Sequence, residues 1–144
     1  MFAVLALQMP LGLSWGQTPD SMQMPDHTIR SAYRSTVQYS YNSSIEDYPF
    51  TVFLNFTPKT EKLWRVDFTL NPSKKPSPYF IIWTLLTTHY GIPKNFPSPE
   101  KNKIFWEVQE AEDTTSIYYG YDRNKHLSLS YQSKNFAQLR AKEL

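Results

Sequence analysis

Three histidines, His27, His89 and His126, are the side chains of this chain best suited to move protons near neutral pH. No two of them stand three or four residues apart, so the sequence offers no helical pair of metal ligands. His89 falls in the last turn of a predicted helix, where the helix dipole favours a cation. We therefore give the histidines structural roles and predict no metal site and no cofactor.

Acidic residues cluster at Glu46-Asp47 and again at 110–113, in the sequence EAED. Both groups fall in predicted turns. Two carboxylates divide acid and base roles only when their surroundings differ, and in polar turns both are solvated. The spacing also lacks the pattern of a calcium-binding loop. We predict no catalytic residues; the enzymatic alternative is a small hydrolase that uses His89 or His126 with a nearby acid.

Aromatic residues give the strongest signal, since ten Tyr, nine Phe and four Trp make up 16% of the chain. In TSIYYGY, residues 115–121, alternation places Ile117, Tyr119 and Tyr121 on a core face and leaves Tyr118 on the other. An exposed tyrosine is a flat contact surface with few torsions to order. We predict a binding surface there; packing of a tyrosine-rich sheet is the alternative. The predicted site residues are Tyr118, Arg65, Asp67, Ser128 and Ser130.

Strands must position these residues, and six segments show the alternation of apolar and polar residues that is typical of half-buried strands. The clearest is LWRVDFTL, where Trp64, Val66, Phe68 and Leu70 alternate with polar residues. The turns are placed at NSSIED (42–47), at Pro58-Lys59-Thr60 and at DRNK (122–125). The predicted strands are 31–41, 50–57, 63–70, 103–109, 115–121 and 126–132.

Two helices are predicted, at 78–90 and 134–143. Pro78 suits the first helical position, Gly91 suits a helix end, and Pro93 prevents continuation. Residues 78–90 are apolar on most of the circumference, so this helix should be deeply packed. Ser133 is suited to cap the second helix. The residues expected to be buried are Trp64, Phe68, Phe80, Trp83, Leu86, Trp106 and Ile117.

The element order from residue 31 is βββα βββα. Short turns between neighbouring strands imply antiparallel pairing. We therefore predict an α+β fold, with an antiparallel sheet of about six strands, helices packed on one face, and the other face open to solvent. Residues 11–144 form one domain in this scheme.

The opening stretch, MFAVLALQMPLGLSWG, allows two interpretations. Residues 1–10 resemble the apolar part of an export leader, although no Lys or Arg precedes them. They could equally form an extra strand of the fold. Within 11–24, a short strand, a Trp15-Gly16 turn and a short helix with Thr18 as its cap and Pro19 first are expected.

Several segments, LGLSWGQTPDSM, LLTTHYGIP, FWEVQ, TSIYYGY and LSLSYQS, resemble small exported bacterial α+β domains. These are related in shape to the β-lactamase-inhibitor-protein fold and to small outer-membrane assembly lipoproteins. The resemblance covers roughly half of the chain and does not extend to residues 25–62. It implies a setting outside the cytoplasm and a binding or assembly role, and it supplies no catalytic residues. The lipid-anchored Cys of the lipoproteins is absent, since the chain has no Cys.

Composition limits the partners. A net charge of +2 is too small to indicate nucleic acid or an anionic membrane. No apolar run is long enough to span a bilayer. The sequence thus predicts a non-catalytic, periplasmic or secreted module that binds a protein partner, or a cytoplasmic one if the opening residues belong to the fold. An inhibitor or immunity protein for an enzyme or toxin is the alternative within the same class.

Overall fold

One antiparallel sheet of seven strands and two α-helices form the described part of the chain, residues 12–95 and 103–144 of a computed structural model. The strand order across the sheet is β1-β2-β3-β4-β7-β6-β5. The prediction of an α+β fold with an antiparallel sheet is therefore confirmed. The elements are β1 (Ile29–Ala32), β2 (Val37–Ile45), β3 (Tyr48–Phe56), β4 (Leu63–Leu70), α1 (Tyr79–Tyr90), β5 (Lys103–Glu110), β6 (Asp113–Tyr121), β7 (Leu127–Ser133) and α2 (Lys134–Glu143).

The first two strands differ from the prediction, which treated residues 31–41 as one strand. The chain turns between Ala32 and Val37, and the Tyr33 amide donates to the Thr36 carbonyl at 2.8 Å. The next turn is shorter than NSSIED, because β2 continues to Ile45 and only Glu46 and Asp47 connect it to β3. Both have left-handed φ angles, 49° and 66°, as a two-residue hairpin turn requires. The order is thus ββββα βββα, with seven strands.

The core lies on one face of the sheet and is built from alternate residues of β2 to β7. Its largest fully buried side chains are Trp106, Tyr119 and Tyr131. The N-terminal segment also packs on it, through Leu13, Trp15, Met22 and Met24. We call the opposite face of the sheet the open face. Packing of the core holds the strands that carry this face in a fixed register.

The N-terminal segment is anchored at the start of β4. The Gly16 amide donates to the Leu63 carbonyl, and the Leu63 amide donates to the Gln17 carbonyl, both at 2.9 Å. The predicted turn at Trp15-Gly16 is present, and a single 3-10 turn, Pro19–Ser21, stands where the short helix was predicted. Thr18 precedes that turn but makes no side-chain capping bond. The interpretations of residues 1–10 lie outside the described residues.

Helix α1 lies over the β5–β6–β7 part of the core face. Ile82 and Leu86 are its buried residues. Trp83 packs on Trp106, with ring centroids 6.0 Å apart. At the helix start, the Tyr119 hydroxyl donates to the Tyr79 carbonyl at 2.7 Å. These contacts fix one side of α1 against the sheet.

The opposite side of α1 is exposed, so the prediction of a deeply packed helix is wrong for that side. Phe80, expected in the core, is 77% exposed, and Trp83 is only half-buried. The polar residues of α1 begin only at Thr84, so its first turn, residues 79–82, is wholly apolar and carries no mark of a solvent side at Phe80. The remaining residues expected to be buried are buried: Trp64, Phe68, Leu86, Trp106 and Ile117.

Helix α2 runs along the end of the sheet where β3 ends and β4 begins. The two helices therefore do not share one face of the sheet, contrary to the prediction. Ser133 caps it as expected, its hydroxyl accepting from the Phe136 amide at 3.1 Å. Arg140 donates through Nε to the Ser35 carbonyl and lies 4.7 Å from the Trp64 ring. Neither helix of the described residues is long and apolar enough to cross a membrane.

The last residue of α2, Glu143, ties the helix to the β3–β4 turn. Its carboxylate accepts from the amides of Lys59 at 2.7 Å and Thr60 at 2.8 Å, and from the Thr60 hydroxyl at 2.6 Å. Burial opposes ionisation, but these hydrogen bonds outweigh it and lower the pKa of the Glu143 carboxyl. The ionised group is therefore the form that stabilises this end of the sheet.

Replacing Glu143 by Gln should lower the free energy of unfolding at pH 7 by about 2 kcal/mol, because hydrogen bonds to a charged acceptor are lost. Glu143 contributes its full stabilisation above the ordinary pKa of 4.5, and the contribution is lost as the pH falls through the lower folded pKa. Urea unfolding at several pH values measures both effects. Lys142→Gln, at the exposed neighbour, is the control; equal stability of the two variants at pH 7 would contradict the prediction.

Candidate binding face

The open face brings together all five residues predicted to form the site. In the strand register, Asp67 on β4 pairs with Ser130 on β7, and Ser130 pairs with Tyr118 on β6. Tyr118 in turn pairs with Phe105 on β5. Arg65 and Ser128 lie on the same face, two residues along their strands from Asp67 and Ser130. The five residues therefore surround one transverse row at the centre of the sheet.

An aromatic pair forms one end of this row. The rings of Phe105 and Tyr118 stack with centroids 5.7 Å apart and planes 18° apart. Tyr118 is 37% exposed, and Phe105 is half-buried. Phe53, half-buried on β3, pairs with Asp67 at the other end of the row. Phe105 and Phe53 were missed from the sequence, although each alternates with core residues, which is the signal that places it on the open face.

Polar side chains connect the strands on the Phe53 side of the row. Gln38 Nε2 donates to Asn55 Oδ1 at 2.9 Å, and Asn55 Nδ2 donates to Asp67 Oδ2 at 3.0 Å. Arg65 Nε donates to Asp67 Oδ1 at 2.9 Å. The network holds the Arg65 side chain by its Nε. Its two terminal nitrogens make no hydrogen bond to any described residue, so they can donate to an incoming carboxylate or carbonyl.

The two serines contribute differently. Ser128 is half-buried, and its hydroxyl lies 3.3 Å from the Gly120 carbonyl, to which it donates. Ser130 is buried, and its Oγ has no hydrogen-bonding partner in the described part of the chain. Ser130 therefore forms the floor of the row between Asp67 and Tyr118, and the exposed contacts come from Tyr118, Arg65 and Ser128.

Open grooves border the sheet, and two of them are lined by described residues. One, of about 430 Å³, lies between α2 and the open face, where Glu107 and Lys134 place opposite charges on its two walls. The other, of about 760 Å³, lies at the end of the sheet beside Arg34, Lys59 and Glu143. No histidine lines either groove. The first groove continues the open face toward α2 and extends the area available to a partner.

His27 and His126 make hydrogen bonds, and His89 lies in the last turn of α1, as predicted. His27 Nε2 accepts from the Asn42 amide at 3.1 Å and caps the edge of β2. The His126 amide donates to Asp122 in the β6–β7 turn. Within residues 12–95 and 103–144, no group of three His, Asp or Glu side chains could hold a metal ion. Of the acidic cluster at 110–113, Asp113 accepts from the Asn135 amide at the start of α2.

Gly12-Leu13-Ser14-Trp15-Gly16 has the spacing of a nucleophile elbow, GxSxG, and this pattern was missed from the sequence. An elbow needs its serine on a sharp strand-to-helix turn beside a histidine. Here Gly16 is followed by a single 3-10 turn, and the Ser14 amide donates to the Gln17 side chain. No described histidine bonds to Ser14, so the pattern gives the hydrolase alternative no geometric support.

No family model matches the chain, and comparison with curated proteins and with solved structures gives no match either. The resemblance to small exported α+β domains therefore stays a prediction that rests on the segments quoted above. The open face itself is the basis on which a function can be proposed.

Proposed function

We propose that this chain is a protein-binding module whose contact surface is the open face, centred on Tyr118. One observation carries the proposal: the stacked Phe105–Tyr118 pair lies in one transverse row with Asp67, and Asp67 anchors Arg65 toward the other end of that row. Aromatic and Arg side chains supply most of the binding energy in protein interfaces. Their backbone positions are set by paired strands of the sheet, so little order has to be gained on binding.

The chemistry of the face favours a protein partner with an acidic or carbonyl-bearing group. The stacked pair offers a flat apolar surface at one end of the row, and Arg65 offers free donors toward the other end. Aromatic and Arg side chains are both enriched in specific interfaces. An assembly partner and a cognate enzyme or toxin both fit this chemistry, so inhibitor or immunity function is the alternative form of the same proposal. The setting outside the cytoplasm is proposed on the resemblance alone.

Replacing Tyr118 by Ala should weaken partner binding by about 1–2 kcal/mol, roughly five- to thirtyfold, as expected for a moderate hot spot. The partner is first captured from the source cells with the immobilised chain and then titrated, in purified form, against each variant by calorimetry. Tyr33→Ala is the matched control, because Tyr33 is 57% exposed at the β1–β2 turn, away from the open face. It should leave the affinity unchanged.

The same variant separates binding from folding. Tyr118→Ala removes the stacking with Phe105, which contributes about 0.5–1.5 kcal/mol, so the melting temperature should fall by only a few degrees. A large fall in melting temperature with unchanged affinity would show that Tyr118 serves packing only. Arg65→Met should also weaken binding if its free nitrogens contact the partner. Unchanged affinity for both variants would overturn the proposal.

A further inference from the structure

The outward side of α1 is an exposed apolar surface that the binding proposal does not use. Phe80 is 77% exposed and Ile81 49%, and Ile92, just after the helix, is 84% exposed. A helix on the surface of a water-soluble domain normally carries charged or polar residues on this side. The stripe of Phe80, Ile81 and Ile92, which we call the α1 stripe, therefore suits a less polar medium than water.

The threonines of α1 strengthen this character. The Thr84 hydroxyl donates to the Phe80 carbonyl at 2.8 Å, and the Thr88 hydroxyl donates to the Thr84 carbonyl at 2.6 Å. Thr87 donates to the carbonyls of the same helix in the same way. Each hydroxyl proton is thus already bonded within the helix. The side of α1 around the stripe consequently offers an outside partner no free hydroxyl donor.

Positive charge flanks the stripe at both ends. Lys74 precedes α1, Lys94 follows Ile92, and both are exposed. From Phe68 to Pro99 the sequence contains no acidic residue. Lys75 also precedes α1, but its Nζ donates to the Asp47 carbonyl at 3.1 Å and lies 5.3 Å from the centre of the Tyr48 ring. Glu110, on β5, is the carboxylate that faces Tyr90 at the end of α1. An apolar centre between lysines is complementary to a surface that is apolar inside and anionic outside.

We propose that the α1 stripe docks onto an anionic lipid surface, with Phe80, Ile81 and Ile92 inserted among the headgroups and the lysines held near lipid phosphates. The apolar centre of the stripe matches the acyl boundary of a lipid layer, and the lysines at its two ends match the anionic headgroups around it. Aromatic and aliphatic side chains supply the insertion energy, and each lysine near the surface adds an electrostatic term.

The test is co-sedimentation of the full chain with vesicles of phosphatidylcholine alone and of phosphatidylcholine mixed with phosphatidylglycerol. We expect binding to the anionic vesicles that weakens with added salt, and at least tenfold weaker binding to the neutral ones. Phe80→Ser with Ile81→Ser should reduce partitioning by about tenfold or more. Ile29→Ser, at an isoleucine 64% exposed on β1, is the matched control and should bind like the parent chain.

A second pair of variants tests the charge. Lys74→Gln with Lys94→Gln should weaken binding to anionic vesicles by roughly tenfold and reduce its salt dependence. Lys142→Gln, on α2, should not. Melting temperatures of all variants confirm that each one is folded.

Three outcomes would overturn the proposal. The first is no binding to anionic vesicles. The second is binding that survives Phe80→Ser with Ile81→Ser, which would assign it to other residues, such as the apolar residues 1–11 of the sequence. The third is a dimer, seen by sedimentation equilibrium, that the same double variant dissociates; the α1 stripe would then join two copies of this chain.

Discussion

Replacing Gly16 by Ala should lower the free energy of unfolding by about 3 kcal/mol, although the change adds only one methyl group. Gly16 has a φ of +82°, where a Cβ is strained by about 1–2 kcal/mol. The added Cβ would also lie 2.8 Å from Cε1 of the Phe136 ring and closer still to its Cζ. Relieving that overlap by moving the ring costs about another 1–3 kcal/mol.

The loss of stability in Gly16→Ala affects more than Gly16, because the N-terminal segment and α2 meet at this residue. The Gly16 amide is bonded to Leu63 at the start of β4, so the backbone cannot withdraw from Phe136 without breaking that bond. We expect the melting temperature to fall by about 10 °C, measured by circular dichroism.

Gly12 is the matched control for Gly16. Its φ is +70°, but nothing lies within 4 Å of the position a Cβ would take. Gly12→Ala should therefore lose only the strain, about 1 kcal/mol. Gly16→Ala combined with Phe136→Ala should be less destabilised than the sum of the single variants, since the overlap is removed. Equal losses for Gly12→Ala and Gly16→Ala would show that Phe136 moves aside freely.

Most of the fold could be predicted because the sequence of several elements shows the alternation of a strand or the capping residue of a helix. β4 alternates over its whole length, and the prediction of 63–70 matches Leu63–Leu70. α2, with a capping serine, matches 134–143. The β1–β2 turn was missed for a physical reason: Tyr33 and Val37 fit the same alternating face, and the polar residues 34–36 between them include no Gly, Pro, Asn or Asp to mark a turn. Only pairing with β3, which fixes Val37 opposite Phe56, shows where β2 begins.

The candidate face was accessible from the sequence for the same reason. In an antiparallel sheet, alternation decides which face each residue occupies, and this placed Tyr118, Arg65 and Asp67 together. What alternation cannot give is the depth of burial. Ser130 shares the face yet is buried, and Phe80 is exposed although it is apolar. Both depend on contacts between distant segments, which no local pattern records.

Raising the pH from 10 to 12 should unfold this protein, because its stability depends on tyrosines that must stay neutral. Burial raises the pKa of Tyr41 and of Tyr90 to about 12, well above the 10.0 of an unfolded tyrosine. Burial also raises the pKa of Tyr119 and Tyr131. Between pH 10 and 12 the unfolded chain has released these protons and the folded chain retains them, so the free energy of unfolding falls as the pH rises.

The measurement follows unfolding by circular dichroism and tyrosinate formation by absorbance. Stability should be nearly constant from pH 7 to 9 and then fall steeply. Tyrosinate absorbance should rise in step with the loss of structure, because the buried phenols ionise only when the chain opens. A folded protein at pH 12 with most tyrosines ionised would contradict the assignment of these phenols to the core.

Two variants distinguish what the Tyr131 and Tyr119 hydroxyls each contribute to stability at neutral pH. The Tyr131 hydroxyl is fully buried next to Tyr90, yet it makes no hydrogen bond of ordinary geometry to a described residue. Tyr131→Phe should therefore leave stability at pH 7 unchanged or slightly raised, since an unpaired buried hydroxyl is removed. Tyr119→Phe should lose about 1 kcal/mol, because the 2.7 Å bond to the Tyr79 carbonyl is broken.

Above pH 10, Tyr131→Phe should lose stability less steeply than the parent chain, because one proton fewer separates its folded and unfolded states. An identical slope would mean that Tyr131 does not contribute to alkaline unfolding.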